Sequence, residues 1–541
     1  MRSLSRLLGQ LNRDLRDRRI SEGIALLEGS ETVLSKLRAS DSGAADFVLC
    51  VAQWIDVGYK SPMPLENLLG RFSPDVRSQM PLRHFLFLRM AQAFSALSKE
   101  DADTAIELLE FVLKAERELA DDWLIVLAHF WKGRAHRKKG EYEIALRDIV
   151  AARTHAQAMQ ADKLAAVIQI QEAWLVFQKG DPKAALALLD RAERQLKSTD
   201  DAISLGNIAS ARGRIVRRTG EYAEALEYYD QAISIYARRD GNHRNLARTL
   251  VNSAYVKRLI ALQLRKKIDS RSSRATGRDP KGSEYARYMQ LCQEALKQLH
   301  RAGEIYALHQ HHGGAGSVLV NSAHLHLDMG NIDAAVAEGQ QAYELGQGTH
   351  DHILMARARI LAATAENARV EEELGEDADT AVYANNARRY AEEAITLAQQ
   401  TQNRRLLAAA HIARGIVAAN DFFQEWDEAR QCESRATPLV RAYDRDHLWE
   451  ELIALKSRIL RSAGINETLR AWSDGVLGGK TFQRVTEEFA EIVIPKVWVR
   501  EGKKISRVAE KLAISPKKVR RILRNAGLLG MERQPTRRRN V

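Results

Sequence analysis

Three features of the sequence predict an all-α fold. Only 10 prolines stand in 541 residues, and the chain is rich in Ala, Leu, Arg and Glu, which lose little on entering a helix. No alternating Val/Ile/Thr stretch bounded by turn residues is present, so no segment reads as a strand. The middle of the chain repeats with a step of 40 residues, as a stacked helical array does. At this length one compact core is not expected, and several domains or an extended array are.

Residues 1–80 read as an N-terminal helical region. Leu4, Leu7, Leu8, Leu11 and Leu15 form a helical stripe, and Arg13, Asp14, Arg16, Asp17, Arg18 and Arg19 interrupt any apolar core of a secretory signal. No apolar stretch reaches the ~20 residues that span a bilayer, so no membrane partner is expected. Cys50, Cys292 and Cys432 are too scattered for a disulfide framework or a zinc site, which points to a reducing, cytoplasmic setting.

Residues 81–470 carry the repeat. Its clearest unit runs from Gly213 through Gly220-Glu221-Tyr222, Ala225 and Tyr229 to Ala232, and Ala105, Ala145, Ala185 and Ala225 recur at the step of 40. The pattern resumes at Ala295/Leu299/Ala302, Gly330/Ala335/Ala342, Ala387/Ala391/Ala394 and Ala429/Ala436. Two antiparallel helices per unit approach closely only where small residues face each other, and the Gly step ends the first helix. The pattern of a small residue, Gly-x-Tyr-x-x-Ala, then an aromatic or Leu, then Ala resembles the tetratricopeptide repeat (TPR). The resemblance implies a TPR-like superhelical solenoid with a concave inner surface that binds a protein, peptide or small effector. The usual unit is about 34 residues, so longer helices are expected here. Residues 268–283 (IDSRSSRATGRDPKGS) interrupt the period and read as a mobile insertion; residues 371–380 read as an acidic loop.

No catalytic or metal constellation emerges. His309, His311, His312, His324 and His326 cluster, but positions i and i+2 of a helix diverge and no Cys or carboxylate completes a ligand set. Asp474–Thr481 has a carboxylate where a phosphate loop needs Gly, and it follows no strand. Elbow, metalloprotease and kinase signatures are absent, so no enzyme, cofactor or metal is expected.

Charge marks the other end. From Lys496 to Val541, 15 Lys and Arg stand against three Asp and Glu, a net of +12. The whole chain is also +12 (82 against 70), so residues 1–495 balance at 67 against 67. Residues 471–481 read as a linker, 482–530 as a helical domain and 531–541 as a basic tail. Phe482, Val485, Phe489 and Ile492 form the apolar face of a first helix that Pro495 ends or kinks. Ser506 is the expected N-cap of a second helix, with Val508, Ala509 and Leu512 inward. Ala513-Ile514-Ser515 makes a turn, and Ser515-Pro516 starts a third helix with Val519, Ile522 and Leu523 inward, ended by Gly527.

The spacing Ala509, Leu512, Ile514-Ser515, Val519, Leu523, Gly527-Leu528 resembles the Fis-type helix-turn-helix of bacterial transcription activators. It departs at Ala513, where the family has glycine, and at Pro495, inside the family's continuous helix. The resemblance implies a duplex-DNA reader. Lys517, Lys518 and Arg521 are the candidates for base edges, and Lys503, Lys504, Arg507, Arg520 and Arg524 for phosphate contacts. The tail cations Arg533, Arg537, Arg538 and Arg539 lie along the backbone or in a minor groove on this reading. The expected function is a transcriptional regulator, with a homodimer on a two-fold site as the candidate assembly. The alternative is a TPR interaction scaffold whose basic end docks an acidic protein or RNA.

Overall fold

The computed structural model describes residues 4–59, 63–115, 121–272, 281–373, 379–441, 443–463, 481–526 and 528–529. Among them every regular element is helical, and the chain divides into two compact units, Met1–Leu455 and Lys456–Val541.

The first unit opens with helix Leu4–Asp17, whose Leu7, Leu11 and Leu15 are buried. One continuous apolar core joins these leucines through Phe47, Trp54 and Trp131 to Leu175, so the N-terminal helices and the first repeats share their interior. Eight antiparallel helix pairs follow among the described residues. They are Leu82–Ser98 with Ala102–Lys114, Asp122–Lys139 with Tyr142–Ala158, Asp162–Lys179 with Pro182–Leu196 and Ala202–Arg218 with Tyr222–Arg239. Then come Arg244–Ser272 with Lys281–Leu308, His312–Asp328 with Ile332–Gly348, His352–Glu373 with Asp379–Gln399 and Arg404–Ala418 with Trp426–Ala436.

The pairs form for the reason the spacing gave. Ala105, Ala145, Ala185 and Ala225 are fully buried on the second helices. Opposite them the first helices carry Gly133 and Gly213, where a Cβ would lie 2.7 Å from Ile149 and Tyr229 respectively. The insertion and the acidic loop are shorter than their composition implies. Helix Arg244–Ser272 enters the 268–283 stretch and helix Lys281–Leu308 leaves it, while helices run to Glu373 and from Asp379 around the acidic loop. Residues 273–280 and 374–378 lie outside the described residues.

The pairs coil far enough for one superhelical turn to rest on the next. Gln402 N donates to Gly140 O at 3.0 Å, Arg445 N to Arg218 O at 2.9 Å, and Gly313 N to Glu100 Oε2 at 3.0 Å. The turn glycines make this contact possible. Gly220 ends its helix region at φ 91°, which a side chain resists, and a Cβ there would also sit 3.1 Å from the Arg445 carbonyl oxygen. Gly140 serves in the same way at φ 81° against Thr401. Repeats about five units apart thus wall in a central cavity.

The second unit holds helices Phe482–Arg500, Ile505–Lys511 and Pro516–Asn525 around Ile494, Trp498, Val508, Ala509, Val519, Ile522 and Leu523. Pro495 does not end the first of these: the helix runs through it. Ile494 and Trp498, one turn apart and both buried, hold the backbone helical across the proline, and the Glu491 carbonyl freed by the missing N–H belongs to an exposed residue within reach of water. Phe482 and Phe489, expected inward, are exposed, and only Val485 of that face is buried. Ser506 is not the N-cap; Lys504 is, and its side chain makes no cap bond.

Candidate functional site

The first helices of successive pairs line the cavity, which measures about 1080 Å³. That is just above the ~300–1,000 Å³ of ordinary small-molecule pockets. Arg134, Arg137 and Lys138 come from one helix, Arg214, Arg217 and Arg218 from another, and Arg244, Arg248 and Arg258 from a third, with Arg357 and Arg405 beyond. The charge-balanced part of the chain has therefore sorted its charges, with cations concentrated inside.

The carboxylates that face the cavity are already engaged. Asp56 Oδ2 meets Arg134 at 2.7 Å, Glu100 meets Lys138 at 3.2 Å and accepts from Gly313 N at 3.0 Å, and Asp446 meets Arg405 at 2.5 Å. Asp328 pairs with Arg258. Arg137, Arg214 and Arg217 have no acidic partner among the described residues, and their Nε atoms are buried without a hydrogen bond. Burial, then Arg248 and Arg134, push the Arg137 guanidinium down to about 10; burial and Arg248 push Arg214 down to about 9. Arg218 is also pushed down to about 9, by burial and then Arg405, against the pull of Asp444 and Asp446.

Sequence reasoning missed this site, although a signal was present. At two steps of 40, Arg134 aligns with Arg214, Arg137 with Arg217, and Lys138 with Arg218, while the intervening unit carries Trp174, Phe177 and Gln178 there. The same period that aligned the alanines aligned these cations on the concave side.

The histidines of the middle do not converge. His309 Nε2 lies 2.7 Å from Asn242 O, His326 Nδ1 3.1 Å from Glu338, and His311 caps its helix by accepting from Gly314 N at 2.9 Å. His324 lines the cavity. Among the described residues no group of His, Cys, Asp and Glu is arranged to hold a metal ion, and no helix is long and apolar enough to cross a membrane.

In the C-terminal unit, Ser515 Oγ accepts from Lys518 N at 3.2 Å and Pro516 takes the first turn, so the last helix starts where its sequence says. Its Val519, Ile522 and Leu523 are buried, and Lys517, Arg520, Arg521 and Arg524 form one exposed stripe at helical spacing. The stripe mixes the two sets of cations that the sequence separated, and Lys518, half-buried, stands beside it. Arg521 is tethered to Glu487 at 3.1 Å, a contact no local pattern announces. Lys503, Lys504 and Arg507 are exposed, with Lys503 over the Trp498 ring at 5.8 Å. Gly527, the tail arginines and Asp474–Lys480 lie outside the described residues.

Ala513 keeps the left-handed turn at φ 49°. A Cβ there costs ~1–2 kcal/mol, so Ala513→Gly, after its greater unfolded-state entropy, should stabilise the C-terminal unit by about 1 kcal/mol. Slower amide exchange over 505–525 reads that gain; unchanged exchange means that the turn stores no strain.

The helix pairs and the coiling make the first unit a TPR-like helical solenoid. The tetratricopeptide-repeat family model matches residues 208–238, the unit with the clearest repeat signature. No curated protein sequence matches significantly. Among solved structures, the chain is similar to the Rap protein complexed with competence and sporulation factor. That match has 12% identity over 73% of this chain and 98% of Rap, with a TM-score of 0.51. It is also similar to the quorum sensor NprR from B. thuringiensis in its apo form, at 13% identity over 74% of this chain and 98% of that one, TM-score 0.46. A structure of NprR in complex with its cognate peptide NprX aligns over 74% of this chain and 99% of NprR, at 13% identity and TM-score 0.47.

Proposed function

We propose that the chain is a cytoplasmic, non-catalytic transcriptional regulator. Its solenoid binds an effector, and its C-terminal helix-turn-helix of the Fis type reads duplex DNA as a homodimer. The observation that carries the reading is the last helix: an exposed stripe of four cations on a helix fixed by buried Val519, Ile522 and Leu523. A merely electrostatic tail needs no such core, whereas a helix entering a major groove must be held rigidly. Lys517 and Arg521, towards the N-terminal end of the helix, are assigned to base edges together with Lys518; Arg520, Arg524, Lys503, Lys504 and Arg507 are assigned to phosphates. Exposed Phe482, Phe489 and Val499 supply an apolar surface for the second protomer. Support for an effector comes from the walled cavity; the Rap structure of this fold holds a factor.

Gel shifts at graded salt test the proposal. Wild-type binding should weaken steeply with salt and discriminate among duplex sequences at fixed salt. The Lys517→Ala/Lys518→Ala/Arg521→Ala variant should lose that discrimination, at ~1–3 kcal/mol for each bidentate base contact removed. Equal affinity for all duplexes in the wild type, or tighter binding of an acidic protein or RNA, would sink the DNA-reading assignment. Sedimentation of the same preparations reads the dimer.

A further inference from the structure

Four guanidinium groups, Arg137, Arg214, Arg217 and Arg248, occupy one region of the cavity, and among the described residues none of them has an acidic partner. Among the described residues only Arg248 of the four has a hydrogen bond, to the neutral Asn207 Oδ1 at 2.7 Å. They come from three helices, in the second, fourth and fifth pairs, so no local sequence constraint put them together. Clustered, partly desolvated cations without counter-charges destabilise a fold. Such conflicts between local chemistry and stability concentrate at binding sites.

The missing counter-charge has a definable form. Planar guanidinium forks match phosphate oxygens bidentately, and several of them together match a chain of phosphates. Aromatic rings are interleaved with the cations. The Arg137 guanidinium lies 5.2 Å from the Trp174 ring, itself 5.2 Å from Tyr142 in an edge contact, and Arg217 lies 4.9 Å from the Tyr255 ring. A volume of about 1080 Å³ leaves room for a planar base and sugar beside the phosphates.

We infer that the solenoid's effector is a nucleoside polyphosphate, with its phosphates on Arg137, Arg214, Arg217 and Arg248 and its base among the Trp174 and Tyr255 rings. This rests on the reading of the solenoid as an effector-binding body and is independent of DNA binding by the other unit.

Calorimetry on the full chain tests it with ATP, GTP, inorganic tripolyphosphate, a single-stranded oligonucleotide and a hexapeptide of Asp and Glu as probes. A nucleotide should bind about tenfold or more tighter than tripolyphosphate, because only it uses the rings. Arg214→Met/Arg217→Met should weaken it by about a hundredfold, since two charge-assisted contacts are lost. Without ligand, Arg214→Met should raise the thermal midpoint, because it removes a repelled charge; an arginine retained for structure would lower it. The inference is overturned if neither nucleotide binds, if tripolyphosphate binds equally well, if the oligonucleotide or peptide binds more tightly through these arginines, or if Arg214→Met lowers the ligand-free midpoint. Gel shifts on the same preparations separate the two readings. Nucleotide binding without DNA binding sinks the regulator proposal alone, and DNA binding without nucleotide binding sinks this inference alone.

Discussion

Asp201→Ala is expected to destabilise the solenoid by about 4 kcal/mol, the sum of two roles that one carboxylate fills. Asp201 is fully buried, and its Oδ1 accepts from Ser204 N at 3.0 Å as the N-cap of helix Ala202–Arg218. Its Oδ2 holds the Arg18 guanidinium, 5% exposed, with Nε at 2.8 Å and Nη2 at 2.5 Å. Removing a cap costs ~1 kcal/mol, and stranding the partner of a buried ion pair costs ~3–5. The second term is the larger, because Arg18 cannot reach water without opening the seam between the N-terminal helices and the turn that leads into the fourth pair. That seam is also held by Ile20 N and Ser21 N donating to Asp200 at 2.6 and 2.7 Å. Amide exchange over 19–28 and 202–218 measures the loss locally, as a repeat array need not unfold in one step. A double-mutant cycle with Arg18→Ala apportions it: the double variant should be less impaired than the two single losses added together. Additive losses would mean that the pair does not hold the seam.

The solenoid was legible because its determinants are local and periodic. Ala145, Ala185 and Ala225 repeat at the step of 40, and each is buried for the same reason: a helix from the same pair crosses it. Contacts between superhelical turns are not periodic. Nothing near Gly220 in sequence names Arg445 as its neighbour, and nothing near Arg18 names Asp201. The cavity depends on those contacts, so its arginines read in sequence as ordinary helix cations. In the C-terminal unit the turn at Ala513 and the cap at Ser515 were legible from residue chemistry, because both are set within four residues. At Pro495 local propensity predicts an end or a kink; the helix does not end there, because burial of Ile494 and Trp498 on either side outweighs the helix-breaking cost of ~3 kcal/mol. Phe489 shows the converse limit, since helical spacing marks an apolar face without saying whether this chain or another covers it.

Acidification should unfold the solenoid more readily than surface charge alone predicts, because burial pushes His243, His311, His324 and His411 down, and in the first two protonation also breaks a backbone bond. His243 Nδ1 accepts from Asn245 N at 3.2 Å, and His311 Nδ1 accepts from Gly314 N at 2.9 Å. A protonated ring has no lone pair for either bond. Burial pushes His243 down to about 4, with Arg244 and Arg248 adding to it against Asp240. Burial likewise pushes His311 to about 4, with Arg244 and Lys138 adding to it against Glu100. In the unfolded chain both take up a proton near pH ~6.5. Between that value and about 4 the unfolded state therefore binds more protons, and stability falls as the pH falls. Above pH ~6.5 both rings are neutral in both states and contribute no slope. From pH 7 to pH 5 each histidine should cost roughly 2 kcal/mol, about 4 together, read as a shift of the urea midpoint. The test is His243→Asn with His311→Asn, since Asn also accepts a backbone N–H at a helix start but does not titrate. That variant should match the wild type at pH 7 and lose about 4 kcal/mol of the acid sensitivity at pH 5, while the share of His324 and His411 remains. An equal midpoint shift in both proteins would assign the acid response to other groups.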